Sequence, residues 1–204
     1  IAMRSKLTIS SKKRITNEWS REFPSLSIYQ PLWLMRRVGL FIQGICLDRD
    51  SGNDTYLPTF HLHNLAGLNK DFISLTLRTP LRTERTNYPE RITLADHEKR
   101  FAEIVNRFRD QSPLSFEGNL FSNDVIFAYQ NHIVNSKAST DHPLNLFYDM
   151  VCIYMWCNRF DDAHQLLGEC QKQIKMWPDR VTRYISERLS AFLQLESYMG
   201  RPLA

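Results

Sequence analysis

Apolar residues in the first half of the chain follow the pattern of β-strands. The stretch from Trp33 to Leu47 is rich in β-branched and aromatic residues and is interrupted by Gly39 and Gly44, so it predicts one long strand or two short ones. Tyr56 to Leu65 predicts another strand, and residues 71–78 alternate apolar and polar side chains with a period of two. Together these stretches predict a small antiparallel sheet.

From residue 93 onward the apolar residues recur every three or four positions, which is the period of an amphipathic helix. Thr93 and Asp96 have the spacing of a capping box and predict the start of a helix that ends near Arg109. Further helices are predicted over 123–137, over both halves of 144–177, and over 178–199. The predicted fold class is therefore α+β: a small N-terminal antiparallel sheet followed by about five helices, the last three stacked antiparallel in a solenoid-like manner.

The predicted organisation has three parts, which we expect to form one continuous globular domain. Residues 1–30 are a basic, partly irregular segment with a short helix around Thr16 to Phe23, residues 31–92 are β-rich, and residues 93–204 are helical. The chain carries a net charge of +4, and its first 21 residues contribute six basic side chains against one acid. The positive charge is thus expected on an N-terminal tail, which makes nucleic-acid binding an alternative function.

Composition narrows the class of protein. Of the 204 residues, 43% are hydrophobic and 24% are charged, as in ordinary soluble globular proteins. No apolar run is long enough to span a bilayer, and the apolar segment of a secretory signal does not follow the basic N-terminal residues. Four cysteines are too few for a disulfide framework in a chain of this length, so we expect a reducing compartment, most simply the cytoplasm.

The most informative stretch, Leu144 to Trp177, has the pattern of a helical hairpin. Two apolar series at helical spacing flank a polar break at Asn158 and Arg159. The first series is Phe147, Met150, Val151 and Tyr154, and the second is Phe160, Ala163, Leu167 and Cys170. A hairpin of this kind builds binding surfaces and brings no chemistry of its own.

The same hairpin resembles a single tetratricopeptide repeat. Phe147 takes the place of the large aromatic early in the first helix, Phe160 that of the aromatic before the second helix, and Ala163 that of the small residue where the helices cross. Val151 departs from the repeat, which has a small residue there, and Pro178 comes later than its closing proline. The resemblance implies protein–protein recognition, and the alternative is a generic helical hairpin.

Two histidines, His61 and His63, are weak candidates for metal ligands. They lie two apart on a predicted strand, so their side chains share one face. With a third ligand from His97 or a nearby carboxylate, the chain would be a metal-dependent hydrolase or nuclease, which is the alternative function as an enzyme. If Phe60 and Leu62 instead form the core face, the two histidines are simply exposed.

Neither the carboxylates that precede these histidines in the chain nor Cys46 has a specific motif. Asp48, Asp50 and Asp54 gather as calcium ligands do, but their loop lacks the glycine position and the closing glutamate of an EF-hand, so a polar hairpin turn is expected. Cys46 has no nucleophile motif around it and is expected in a strand core. We predict no catalytic residue and no cofactor.

The predicted function is therefore that of a non-enzymatic protein that binds another protein. By analogy, the chain is an immunity protein or antitoxin that binds and inhibits a toxin, or an adaptor subunit. Carboxylates would steer a basic toxin. The tryptophans that flank the second hairpin helix would either contact the partner or belong to the helical core, with at least one of them partly exposed. The predicted partner-binding residues are Asp48, Asp50, Asp54, Trp156, Asp161, Asp162 and Trp177.

Overall fold

The computed structural model describes residues 7–49, 54–67, 76–135 and 144–179, together with 183, 190, 192–195 and 199. This part of the chain forms an antiparallel sheet and five helices, which confirms the predicted α+β class. The elements in chain order are α1 (Ile9–Glu22), β1 (Ser27–Gln30), β2 (Trp33–Val38), β3 (Phe41–Arg49), β4 (Thr55–Asn64), β5 (Leu77–Pro80), β6 (Ile92–Thr93), α2 (Leu94–Gln111), α3 (Ser122–Asn135), α4 (Leu144–Trp156) and α5 (Phe160–Lys175).

The chain divides into two compact units. The first comprises Ile1–His63 with Leu77–Leu120, and the second comprises Asn64–Thr76 with Phe121–Ala204. Helices α1 and α2 therefore belong with the sheet, whereas α3, α4 and α5 belong together in the second unit. No helix among the described residues is long and apolar enough to cross a membrane.

The sheet of the first unit has the strand order β1-β2-β3-β4-β5, and β6 pairs with β4. The predicted interruption at Gly39 is the turn between β2 and β3, where φ is +57° and glycine avoids the steric cost of the left-handed region. The other interrupting glycine, Gly44, lies inside β3 opposite Met35. The predicted strand over 71–78 falls mostly outside the described residues, and β5 begins at Leu77.

The N-terminal segment is a longer helix than the sequence predicted. The side chain of Thr8 caps α1 by accepting a hydrogen bond from the Ser11 amide. The apolar stripe of the helix includes Ile15 and Trp19, which are both buried. The helix therefore begins at Ile9 and not near Thr16. The prediction of a basic tail was wrong for this stretch, because Lys12 and its basic neighbours stand on a packed helix.

Aromatic rings fill the core between α1, α2 and the sheet. The rings of Trp19 and Phe108 meet edge to face with centroids 5.4 Å apart, and Phe116 lies 4.8 Å from Phe23 and 5.6 Å from Phe60 of β4. The predicted capping box of α2 is confirmed: Thr93 accepts from the Asp96 amide at 3.0 Å, and the Asp96 carboxylate accepts from the Thr93 amide.

The second unit contains the predicted helical hairpin, as α4 and α5. Asn158 adopts a left-handed conformation in the turn, and two amides close the end of α4: that of Asn158 donates to Met155 O and that of Arg159 to Tyr154 O. These are the two hydrogen bonds of a Schellman motif. Residues 180–199 are mostly outside the described residues, so the solenoid-like stacking of the last three helices stays a prediction.

Candidate functional site

A groove of about 700 Å³ lies in the first unit between α1 and the hairpin formed by β1 and β2. One wall is the face of α1 that carries Ile9, Lys12 and Lys13, residues spaced as neighbours on one side of a helix. The opposite wall includes Ile28 and Gln30 of β1. Arg49, the last residue of β3, completes the lining.

A buried threonine holds the two walls of the groove together. The hydroxyl of Thr16 donates to Lys12 O at 2.6 Å and accepts from the amide of Leu32 at 2.8 Å. Leu32 turns the chain between β1 and β2 with φ of +69°, and its side chain is buried. The otherwise strained turn is thus tied to α1, which fixes the width of the groove.

The groove is positively charged and has an apolar rim. Within the described residues, none of the cations Lys12, Lys13 and Arg49 forms an ion pair, whereas the neighbouring Arg14 pairs with Glu98 at 2.9 Å. The side chains of Ile9 and Ile28 are 86% and 47% exposed. An anionic group in this groove would neutralise charges that no described carboxylate neutralises, while apolar groups beside it would cover exposed surface.

The face of the sheet that carries Asp48 holds a separate polar cluster. The carboxylate of Asp48 accepts hydrogen bonds from the thiol of Cys46 and the hydroxyl of Thr59, both at 3.1 Å, and pairs with Arg78 at 2.5 Å. Asp48 was predicted to attract a basic partner. Its charge is instead offset by Arg78 on the surface of the first unit, which weakens any long-range attraction.

The expectation of exposed histidines was wrong. His61 and His63 are both buried, because β4 lies inside the sheet between β3 and β5 and is covered on both faces. The Nε2 atom of His61 accepts a hydrogen bond from the indole of Trp33 at 2.7 Å, so that lone pair is occupied. Burial lowers the pKa of His61 to about 4, so the ring is neutral at physiological pH.

Metal binding has no support in the part of the chain that the structure describes. There, no three His, Cys, Asp or Glu side chains are grouped closely enough to hold an ion. His97, one of the candidates for the third ligand, uses Nδ1 to bond Tyr56 and Nε2 to bond Glu18. The predicted alternative of a metal-dependent hydrolase or nuclease therefore lacks an assembled site among these residues.

The environment of Cys46 suppresses nucleophilic chemistry. Burial, followed by the hydrogen bond to Asp48, raises the pKa of this thiol to about 12. The thiolate is the nucleophilic form of cysteine, and at neutral pH it is nearly absent here. Cys46 lies half-buried in β3 on the polar face, rather than in the apolar core as expected.

The remaining predicted partner-binding residues do not gather into one site. Asp50 lies outside the described residues, and Asp54 is described and half-buried. In the second unit, Asp162 pairs with Arg159 at 2.7 Å, while Asp161 is exposed. The two tryptophans of the hairpin differ: Trp156 is 57% exposed, and Trp177 stacks on Phe147 with centroids 6.3 Å apart.

Buried polar networks lie in each unit and are structural. In the first, the Tyr56 hydroxyl lies 2.6 Å from Nδ1 of His97 and accepts from the Trp19 indole at 3.3 Å. Tyr56, His97 and Glu18 form a chain of the kind that activates a nucleophile, but Tyr56 is fully buried and burial raises its pKa. No substrate could reach that hydroxyl.

The groove residues were missed because the helix was predicted to start too late. A sequence pattern does predict the true start of α1. Thr8 is followed three residues later by Ser11, and Ile15 and Trp19 are spaced four apart. Lys12 and Lys13 then fall on a helix face. The contribution of Arg49 has no local sequence pattern, because only the pairing of β3 with β2 brings it there.

No protein-family model, no curated protein and no solved structure matches this chain. The tetratricopeptide-like spacing of the hairpin therefore stays a prediction, and function has to be inferred from the groove itself.

Proposed function

We propose that this chain is a non-enzymatic protein that binds another protein, and that the groove between α1 and the β1–β2 hairpin receives an acidic segment of that partner. The observation that carries the proposal is the combination of Lys12, Lys13 and Arg49, unpaired among the described residues, with the exposed Ile9 and Ile28 in one groove.

Charge complementarity favours an acidic partner over a basic one. Among the described acidic side chains that were predicted to steer a basic toxin, Asp48 is compensated by Arg78 and Asp162 by Arg159. The cations of the groove have no such compensation among the described residues. Uncompensated charge on one partner accelerates association with the opposite charge on the other.

The apolar rim favours a polypeptide over a nucleic acid. A phosphate backbone would use the three cations but would leave Ile9 and Ile28 uncovered. A peptide carries carboxylates and apolar side chains together, so it matches both properties of the groove. Inhibition of a toxin, as an immunity protein or antitoxin, is a narrower version of the same proposal in which the bound segment belongs to the toxin.

The test is selection from a display library of random peptides on the immobilised full chain. We expect enrichment of peptides rich in Asp and Glu. These should bind the double variant Lys12→Glu, Lys13→Glu about tenfold or more weakly, and their affinity should fall with salt. The matched control is Lys172→Glu, Lys175→Glu, which makes the same charge change on exposed positions of α5 and should leave binding unchanged.

Two results would overturn the proposal. One is a selection in which the enriched peptides bind the native chain and the groove variant equally. The other is the absence of acidic peptides together with tight binding of a single-stranded oligonucleotide that the groove variant loses, which would make the groove a nucleic-acid site.

A further inference from the structure

Strand β1 forms one end of the sheet. It pairs with β2 on one side and is the first strand in the sheet order. All four of its residues, Ser27–Gln30, are exposed. Within the described residues, the backbone of β1 makes no hydrogen bond to anything other than β2. One row of amide and carbonyl groups is therefore open to solvent and able to pair with another strand.

The open row of β1 borders the groove. Ile28 and Gln30 both line it, and α1 forms its opposite wall with Lys12 and Lys13. Successive side chains of a strand point to opposite faces of a sheet, so a strand paired with β1 would send every second side chain towards α1. Those side chains would reach the cations, and the intervening ones would point away.

We propose that the acidic segment binds as an additional β-strand along the free edge of β1, with its acidic side chains at alternate positions facing Lys12 and Lys13 of α1. This inference rests on the proposed function and adds the mode of recognition. Main-chain hydrogen bonds supply affinity in this mode, while the groove reads alternate side chains and supplies specificity.

The geometry of β1 limits the length of the added strand. The strand has four residues, and its register with β2 shifts between Ile28 and Gln30. Short and irregular edges resist uncontrolled pairing between molecules, because few consecutive hydrogen bonds can form. The bound segment must therefore be short, and the cations and apolar rim of the groove must add to its affinity.

Backbone methylation of an enriched acidic peptide tests the strand mode directly. A strand presents the amides of alternate residues to one edge, so two methylated forms are made, one at odd and one at even positions. We expect one form to bind roughly tenfold or more weakly than the unmodified peptide and the other to bind nearly as well, since only one set of amides pairs with β1.

Hydrogen exchange on the full chain provides the second measurement. The amides within residues 27–30 that face the free edge should exchange roughly tenfold more slowly when the unmodified peptide is bound, whereas those that face β2 should change little. Equal binding by the two methylated forms, with no added protection of β1, would overturn strand addition while leaving the acidic groove intact. Failure to select any groove-dependent peptide would instead overturn the proposed function, so the two failures are distinguishable.

Discussion

The hydroxyl of Tyr129 donates a hydrogen bond to the carboxylate of Asp149 at 3.0 Å, and both side chains are buried in the second unit. Tyr129 also bonds the hydroxyl of Thr76 at 3.0 Å. Burial raises the pKa of Asp149 from 3.8 to about 6, although hydrogen bonds from Thr76 and Tyr129 act in the opposite direction. Between pH 3.8 and about 6, Asp149 in the folded state thus retains a proton that the same group in the unfolded chain has already released.

This relationship predicts how stability depends on pH. As pH rises from 3.8 to about 6, the unfolded chain loses the Asp149 proton first, so the contribution of this group to stability falls through that window and stays low above it. Asp149→Asn keeps an acceptor for Tyr129 without the charge. We expect it to flatten this fall in thermal unfolding measured across the window. Asp110→Asn, at an exposed position of α2, is the control, and parallel pH profiles for both variants would contradict the prediction.

The hydrogen-bond chain through Tyr56 predicts a large effect from the loss of one oxygen. In Tyr56→Phe, the indole of Trp19 and Nδ1 of His97 lose their partner in a buried site, and each unsatisfied group costs about 1–3 kcal/mol. We expect a decrease of about 2 kcal/mol or more in the free energy of unfolding by chemical denaturation. The same change at Tyr88, which is 73% exposed, should have almost no effect. Equal stability of the two variants would refute a structural role for the chain of bonds.

Two glycines predict opposite outcomes for the same substitution. A Cβ on Gly44 would lie 2.1 Å from Leu34 O and 2.7 Å from Nε2 of His61, so Gly44→Ala forces apart strands that are paired in the sheet. We expect a loss of about 3 kcal/mol or more. A Cβ on Gly168, inside α5, meets nothing within 4 Å, and Gly168→Ala should add about 0.5–1 kcal/mol through helix propensity. Chemical denaturation of both variants measures the two changes in stability. A Gly44→Ala protein as stable as the native chain would show that the close approach of Leu34 and His61 to Gly44 is not required.

The turn of the helical hairpin predicts a graded series at one position. Asn158 has φ of +57°, a conformation that costs a residue with a Cβ and no local side-chain hydrogen bond about 1 kcal/mol. Asn158→Ala should therefore destabilise the second unit by about this amount, whereas Asn158→Gly should be neutral or slightly stabilising. Calorimetry on the three proteins gives the order, and the reverse order for Gly and Ala would exclude the left-handed turn.

Local patterns in the sequence predicted many elements well. The strand predicted over Tyr56 to Leu65 became β4 within one residue of each predicted end, and the capping box at Thr93 and Asp96 set the start of α2. Gly39 divided Trp33 to Leu47 into two strands because the chain reverses there. These features depend on interactions between residues close in sequence, which is why spacing and residue type were sufficient to predict them.

The errors arose where burial depends on distant strands. His61 and His63 were expected on an exposed face if Phe60 and Leu62 formed the core, yet β4 is buried on both faces because it lies inside the sheet. Alternation along a strand distinguishes its two faces but does not say whether each face is covered. For the same reason, the compensation of Asp48 by Arg78 could not be predicted, since it joins residues 30 apart in sequence.

The sequence by itself determined the α+β class, the positions of β2, β3 and β4, the capping box of α2 and the helical hairpin, because hydrophobic periodicity and capping are local properties. Only the tertiary structure decided which charges remain unpaired and which strand lies at the edge of the sheet. The groove results from both decisions: α1 packs beside β1, Thr16 ties it to Leu32, and the end of β3 brings Arg49 to the same place. Charge pairing and strand order are set by contacts between residues far apart in the chain, and no local pattern in the sequence encodes them.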